Sequence, residues 1–310
     1  MSQVDLSVEL CGVPLRNPLV LAAGVLGTTA ALMERVARAG AGAVTAKSCG
    51  LAPRQGHPNP TVVAYGGGLL NAIGLANPGA EAMAGILRHA RSRCAPLGVP
   101  VIASVFGETA AAFGEVVRVL EAAEPDLYEV NISCPNVASE FGQPFAADPV
   151  QAAAATAAVR AATRRPVIVK LSANVSDIVA VARAVVDAGA DAINAINTLG
   201  PGMVIDIRAR APVLANKVGG LSGPAIRPVA VRCVYELSRA VPVPIIGTGG
   251  VMSGEDMVEM IMAGATAVGV GSAFQYRGID AAAAMNAELA AFMAEQGFHS
   301  LTEMRGLAHG

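Results

Sequence analysis

The sequence predicts an α/β fold, a single (β/α)8 barrel (TIM barrel) spanning residues 1–310, and three observations predict it. Short, nearly continuous apolar runs recur along the chain. Segments of helical periodicity separate them. Almost every run ends in a polar residue or a glycine.

In chain order the runs are Pro18–Ala23, Ala43–Lys47, Pro100–Val105, Leu127–Ile132, Pro166–Leu171, Ala192–Ile196, Val243–Ile246 and Ala267–Val270. Each reads as a parallel strand buried on both faces. Two of the intervening helices have legible ends. Ser176 is placed to cap a stripe of Ile178, Val181, Ala182, Val185 and Val186 that Gly189 stops. Ser253, with Asp256 three residues on, resembles a capping pair ahead of Met257, Val258, Ile261 and Met262. Eight alternations close into a barrel; an open doubly wound sheet is the competing architecture. Leu6–Arg16 alternates and turns at Gly12, which suggests an N-terminal β-hairpin plugging the bottom of the barrel. The segments Gly50–Pro78 and Thr198–Pro224 are rich in Gly, Pro and Asn and follow strands. They are expected as long loops at the C-terminal mouth, where barrels keep their chemistry.

With 53% hydrophobic and 15% charged residues, the chain has ample material for one core. A formal charge of −2 gives no electrostatic reason to bind nucleic acid. There is no run of about 18 apolar residues of the kind a spanning helix needs. Met1–Glu9 carries two acids and no basic residue, unlike a signal peptide or an amphipathic arm. The expectation is a cytoplasmic protein without a membrane segment. The five cysteines are widely spaced and form no CxxC pair, and the four histidines are not at ligand spacing. Neither a metal site nor an iron–sulfur cluster is expected in this chain.

If the strands are right, their polar ends converge on one face: Ala23-Gly24, Lys47-Ser48, Ser104, Asn131-Ile132-Ser133, Lys170, Asn197-Thr198, Gly247-Thr248-Gly249-Gly250 and Gly271-Ser272. A lysine or asparagine at the inner end of a buried strand must satisfy its polar groups, and a bound polar ligand does so economically. The glycine motifs after the last two strands lie where barrels bind phosphate, although such glycines also serve simply to make tight turns. Cys134, three residues past a strand end and flanked by Asn131, Ser133 and Asn136, has a polar setting that Cys11, Cys49, Cys94 and Cys233 lack. Lone cysteines are usually small buried hydrophobes. Lys47 and Lys170 suit an anion, though either could be an ordinary strand-end lysine. On chemistry alone Asn71-Ala-Ile-Gly-Leu75 reads as a turn.

Taken together, these pieces resemble the dihydroorotate dehydrogenase family, class 1. They are Ala46-Lys-Ser48, Asn71-Ala-Ile-Gly-Leu-Ala-Asn-Pro78, Asn131-Ile-Ser-Cys-Pro-Asn136, Val169-Lys-Leu171, Ile196-Asn-Thr-Leu199, Gly219-Gly-Leu-Ser-Gly-Pro224, Gly247-Thr-Gly-Gly250 and Gly269-Val-Gly-Ser272. The resemblance implies FMN in the mouth, its phosphate on Gly223, Gly249, Gly250, Gly271 and Ser272. Lys170 would lie beside the flavin N1–C2=O edge, with Ala23, Lys47, Ser48, Ser104, Asn131 and Ile196 as further flavin contacts. Lys47, Asn71 to Leu75 (Ala72, Ile73 and Gly74 between them), Asn131, Asn197 and Thr198 would hold the pyrimidine. Cys134 would take the C5 proton of dihydroorotate while the C6 hydride passes to flavin N5.

Asn-Ala-Ile-Gly-Leu and Gly-Gly-Leu-Ser-Gly-Pro-Ala are most similar to class 1B. That class implies a homodimer core joined by a partner subunit with FAD and a [2Fe–2S] cluster, a heterotetramer passing electrons to NAD+. Ala23 and Ser104 depart from the commoner pattern, where a serine and an asparagine often contact the flavin; this leaves the flavin potential and the electron acceptor open. The competing functions are a dihydropyrimidine dehydrogenase-like subunit acting on uracil or thymine, a non-redox phosphate-binding barrel (isomerase or synthase), and a catalytically silent partner subunit.

Overall fold

The computed structural model describes residues 4–132 and 145–310. Eight parallel strands close into a barrel: β3 (Leu19–Leu21), β4 (Ala43–Thr45), β7 (Val101–Val105), β8 (Leu127–Asn131), β9 (Val167–Leu171), β10 (Ala192–Ala195), β15 (Ile245–Thr248) and β16 (Ala267–Val270). The ring runs in that order, with β16 pairing back onto β3, so an open sheet is ruled out. Helices connect successive strands, among them 30–38, 80–94, 110–120, 149–160, 178–187, 227–240 and 254–262.

Four strands start one residue after a proline: Pro18, Pro100, Pro166 and Pro244. Proline has no N–H to give the ladder but keeps its acceptor. All four carbonyls are used, by the amides of Val268, Val44, Tyr128 and Ile193 respectively, at 2.8 to 3.0 Å. This moves the seventh barrel strand from the expected Val243–Ile246 to Ile245–Thr248. The 178–187 helix is also capped differently from expectation. Asp177, not Ser176, accepts the Ala180 amide at 2.9 Å, because a carboxylate next to the first helical residue reaches that orphan donor directly. Ser253 and Asp256 form the expected reciprocal capping box.

The hairpin is as expected: β1 (Val8–Leu10) pairs antiparallel with β2 (Val13–Leu15), and both turn residues have positive φ, Cys11 at 53° and Gly12 at 80°. Leu10 and Leu15, at most 1% exposed, cap an apolar layer to which every barrel strand gives one residue: Val20, Ala43, Ile102, Leu127, Ile168, Ala192, Ile246 and Ala267.

At the other end, the two glycine-rich segments do more than loop. Strands β5 (Val62–Tyr65) and β6 (Gly68–Asn71) come from the first, and β11 (Leu199–Gly202) and β14 (Gly219–Ser222) from the second. They join into one antiparallel sheet, in the order β11-β14-β6-β5. A two-stranded pair, β12 (Ile205–Asp206) with β13 (Ala211–Pro212), lies in the excursion between β11 and β14. Leu70, Ala72 and Leu214 form a small separate core under this sheet.

Candidate active site

Side chains alternate along a strand, so the residues two positions beyond the apolar layer face the same barrel interior. They are Ala22, Thr45, Ser104, Glu129, Lys170, Asn194, Thr248 and Gly269, none more than 8% exposed among the seven non-glycine members. Six of the eight are polar, and Glu129 and Lys170 are the two ionisable side chains of the layer. The small members, Ala22 and Gly269, come from the neighbouring strands β3 and β16 or their ends and leave room there. A Cβ on Gly269 would lie 1.9 Å from Thr248 Oγ1, so only glycine fits.

Above this layer opens a cavity of about 440 Å3. Of the residues expected at the site, Ala23, Lys47, Ser48, Asn71, Ile73, Gly74, Leu75, Asn131, Lys170, Ile196, Asn197, Thr198, Gly249, Gly271 and Ser272 line it. Asn71 and its neighbours arrive through β6, whose Asn71 side chain donates to Gly220 O on β14 at 3.2 Å. The mouth sheet thus carries this segment over the barrel opening.

Four expected residues are elsewhere. Ala72 is wholly buried, packed under the mouth sheet between lining neighbours. Ser104 lies one layer below the cavity, 1% exposed, where its hydroxyl supports Ser48. Gly223 and Gly250 are not lining residues but abut each other: a Cβ on Gly250 would sit 2.8 Å from Gly223 O. Both have positive φ, 96° and 75°, as does Gly249 at 134°. Three backbones can therefore approach closely where a side chain would collide. Cys134, with Ser133 and Asn136, lies outside the described residues.

Lys170 is 5% exposed, and among the described residues it has neither a hydrogen bond nor an ion pair. A buried ammonium without a counter-charge is costly. Its placement on the cavity wall, in register with Asn131 on one side and Asn194 on the other, suits an acceptor-rich ligand. The cavity also has apolar walls, from Val25, Leu26, Val62, Leu69 and Ile226, which no sequence pattern singles out. Glu129 and Asn194 were equally unanticipated, although a polar residue in the middle of each of the runs Leu-Tyr-Glu-Val-Asn and Ala-Ile-Asn-Ala was the available signal. Among the described residues no group of three or more His, Cys, Asp or Glu side chains is placed to hold a metal ion, and no helix is long and apolar enough to cross a membrane.

A flat, polar-edged aromatic system with an anionic tail fits these features: an unpaired lysine, amide side chains, apolar walls and a glycine cradle at the rim. Comparison with known proteins points the same way. The family model for dihydroorotate dehydrogenase matches residues 5–293. The catalytic subunit of dihydroorotate dehydrogenase B (NAD(+)) from Methanosarcina mazei is 48% identical over 305 residues, 98% of this chain and 95% of that protein. The proteins of the same name from Methanothermobacter thermautotrophicus and Geobacter sulfurreducens are 45% and 44% identical, covering 98% and 99% of both chains. A family match over nearly the whole sequence, with full-length relatives at this identity, establishes that the chain belongs to the dihydroorotate dehydrogenase family, whose members use a flavin.

Proposed function

We propose that this chain is the catalytic subunit of a class 1B dihydroorotate dehydrogenase, oxidising (S)-dihydroorotate to orotate for UMP synthesis with FMN bound in the cavity. The observation that carries this is the convergence of Lys47, Asn71, Asn131, Lys170, Asn197 and Thr198 on one 440 Å3 cavity beside a glycine rim. Bound there, FMN supplies the two-electron acceptor for the C6 hydride.

The chain's own residues do the rest. Gly249, Gly271 and Ser272, with Gly223 and Gly250 packed behind, would admit the phosphate to backbone amides. Lys170 supplies a fixed positive charge where negative charge develops on reduction. Lys47 offers the substrate carboxylate a cation, and Asn71, Asn131, Asn197 and Thr198 offer the ring amides both donors and acceptors. Cys134, three residues after the end of β8, is the base for the C5 proton. A partner subunit carrying FAD and a [2Fe–2S] cluster would supply the route to NAD+, in a heterotetramer built on a homodimer of this chain. A cytoplasmic location belongs to this reading.

An absorbance spectrum of the purified protein followed by anaerobic dihydroorotate tests the proposal. A yellow protein that bleaches is the expected result. A yellow protein that bleaches only with dihydrouracil would shift the substrate to an uncarboxylated pyrimidine. A colourless protein that FMN cannot reconstitute would overturn the assignment.

A further inference from the structure

Below the cavity floor, the Glu129 carboxylate ends a hydrogen-bond chain that runs in one direction from each side. Ser104 Oγ donates to Glu129 Oε1 at 2.8 Å, and Asn194 Nδ2 donates to Oε2 at 2.6 Å. A hydroxyl has one proton. Since Ser104 spends its proton on Glu129, the 2.8 Å contact between Ser48 Oγ and Ser104 Oγ has Ser48 as donor. Ser48 must then accept, and it does, from Asn131 Nδ2 at 3.1 Å. Asn131 Oδ1 in turn accepts from Asn197 Nδ2 at 3.3 Å, and Asn197 Oδ1 is fixed by the Thr198 amide at 2.8 Å. On the other arm, Thr248 Oγ1 donates to Asn194 Oδ1 at 2.7 Å.

One donor from each of Asn197, Asn131, Ser48 and Ser104 points towards Glu129, and so does one from each of Thr248 and Asn194. A carboxylate can only accept, so it sets the sense of both arms at once. At 2% exposure no solvent competes for that role.

We propose that Glu129 is a positioning residue for this site: by accepting from both arms it fixes which hydrogen-bonding face Asn131 and Thr248 turn to the cavity. This rests on the placement of the pyrimidine against Asn131 and Asn197. A glutamine in its place accepts with one atom and donates with the other. It satisfies one arm and opposes the other, reversing the order of hydroxyls and amides along that arm.

The test uses the FMN-loaded protein and the variants Glu129→Gln and Ser104→Ala. FMN affinity is read by recovery of flavin fluorescence on release, orotate affinity by the perturbation of the flavin spectrum, and folding by the thermal midpoint. Ser104→Ala cuts only the Asn131 arm, and the smaller side chain fits the same space. It should weaken orotate by about tenfold, the equivalent of one lost hydrogen bond at a ligand-bearing amide, with FMN affinity unchanged and the fold intact at a lowered thermal midpoint, because the buried Glu129 Oε1 loses its donor. Glu129→Gln should weaken orotate or FMN by at least as much. If that variant does not hold its fold, Ser104→Ala decides alone. Wild-type orotate affinity in Ser104→Ala, or wild-type affinity for both ligands in a folded Glu129→Gln, overturns the role of Glu129. Failure of the unsubstituted protein to bind orotate instead overturns the proposed function.

Discussion

The bottom and the mouth of this barrel are made from the same eight strands, yet two residues of strand separate opposite chemistries. At the bottom, Val20, Ala43, Ile102, Leu127, Ile168, Ala192, Ile246 and Ala267 meet Leu10 and Leu15 of the hairpin in a layer without a polar side chain. One step up the same faces, Thr45, Ser104, Glu129, Lys170, Asn194 and Thr248 are just as buried but polar. The lower layer gains from burial itself and asks only for shape. The upper layer loses by burial unless each group finds a partner, so Ser104, Glu129, Asn194 and Thr248 are tied by directed hydrogen bonds, and Lys170 lines the cavity. Stability and reactivity are thereby separated along the barrel axis, and substitutions at the two ends should separate in the same way.

The largest effect is expected from the proposed base. Cys134→Ala should keep FMN and thermal stability while slowing flavin reduction by dihydroorotate about 10² to 10⁴-fold, the range a positioned base contributes, measured by anaerobic stopped-flow absorbance. Wild-type reduction in that variant would remove Cys134 from the chemistry. At the bottom, Leu10→Ala should cost about 2–5 kcal/mol, because the fully buried side chain leaves a cavity beneath eight strands that cannot all collapse. A lowered urea midpoint with unchanged orotate affinity is the expected pattern. Weakened orotate binding in Leu10→Ala would show that the two layers are mechanically coupled and would break the separation.

The two ends also differed in how much the sequence disclosed. The bottom was legible because an apolar layer and a Gly12 turn follow from patterns of single residues, and Leu6–Arg16 proved to be the plugging hairpin. The eight strands were legible for the same reason, with starts shifted by one or two residues where Pro18, Pro100, Pro166 and Pro244 withhold an N–H. The mouth was legible as a set of residues, fifteen of which line one cavity, but not as a structure. That Gly50–Pro78 and Thr198–Pro224 weave into one sheet depends on pairing Asn71 with Gly220, which no local pattern specifies. Glu129 and Asn194 were not legible from the polar strand ends, because they lie in mid-strand, at positions that alternation aims inward. Ser104, expected as a flavin contact, is not among the cavity-lining residues and hydrogen-bonds Ser48.

The thiols give the smallest and most discriminating comparison between the ends. Cys11, in the plug turn, donates through Sγ to Asp191 O at 3.3 Å. Burial, reinforced by Asp191 and Glu9, pushes its pKa from near 9 up to about 12. Burial alone takes Cys49, in the core, to about 12. At pH 9 such thiols are only about one part in a thousand thiolate, whereas the base proposed at Cys134 would work through its thiolate. Alkylation at pH 9 should therefore modify Cys134 in step with loss of activity, orotate should protect it, and peptide mass mapping should find Cys11 and Cys49 unmodified. The same shifts have a sign for stability. Below pH 9 these thiols are protonated whether the chain is folded or not, and they contribute no pH dependence. Between pH 9 and 12 the unfolded chain releases protons that the folded one keeps, so stability falls as pH rises. Cys11→Ser, whose hydroxyl still donates to Asp191 O, should make that alkaline fall shallower in urea titrations without changing turnover. If Cys11 is instead alkylated as fast as Cys134, the plug admits solvent and reagent, and its apolar layer is less closed than the packing of Leu10 and Leu15 requires.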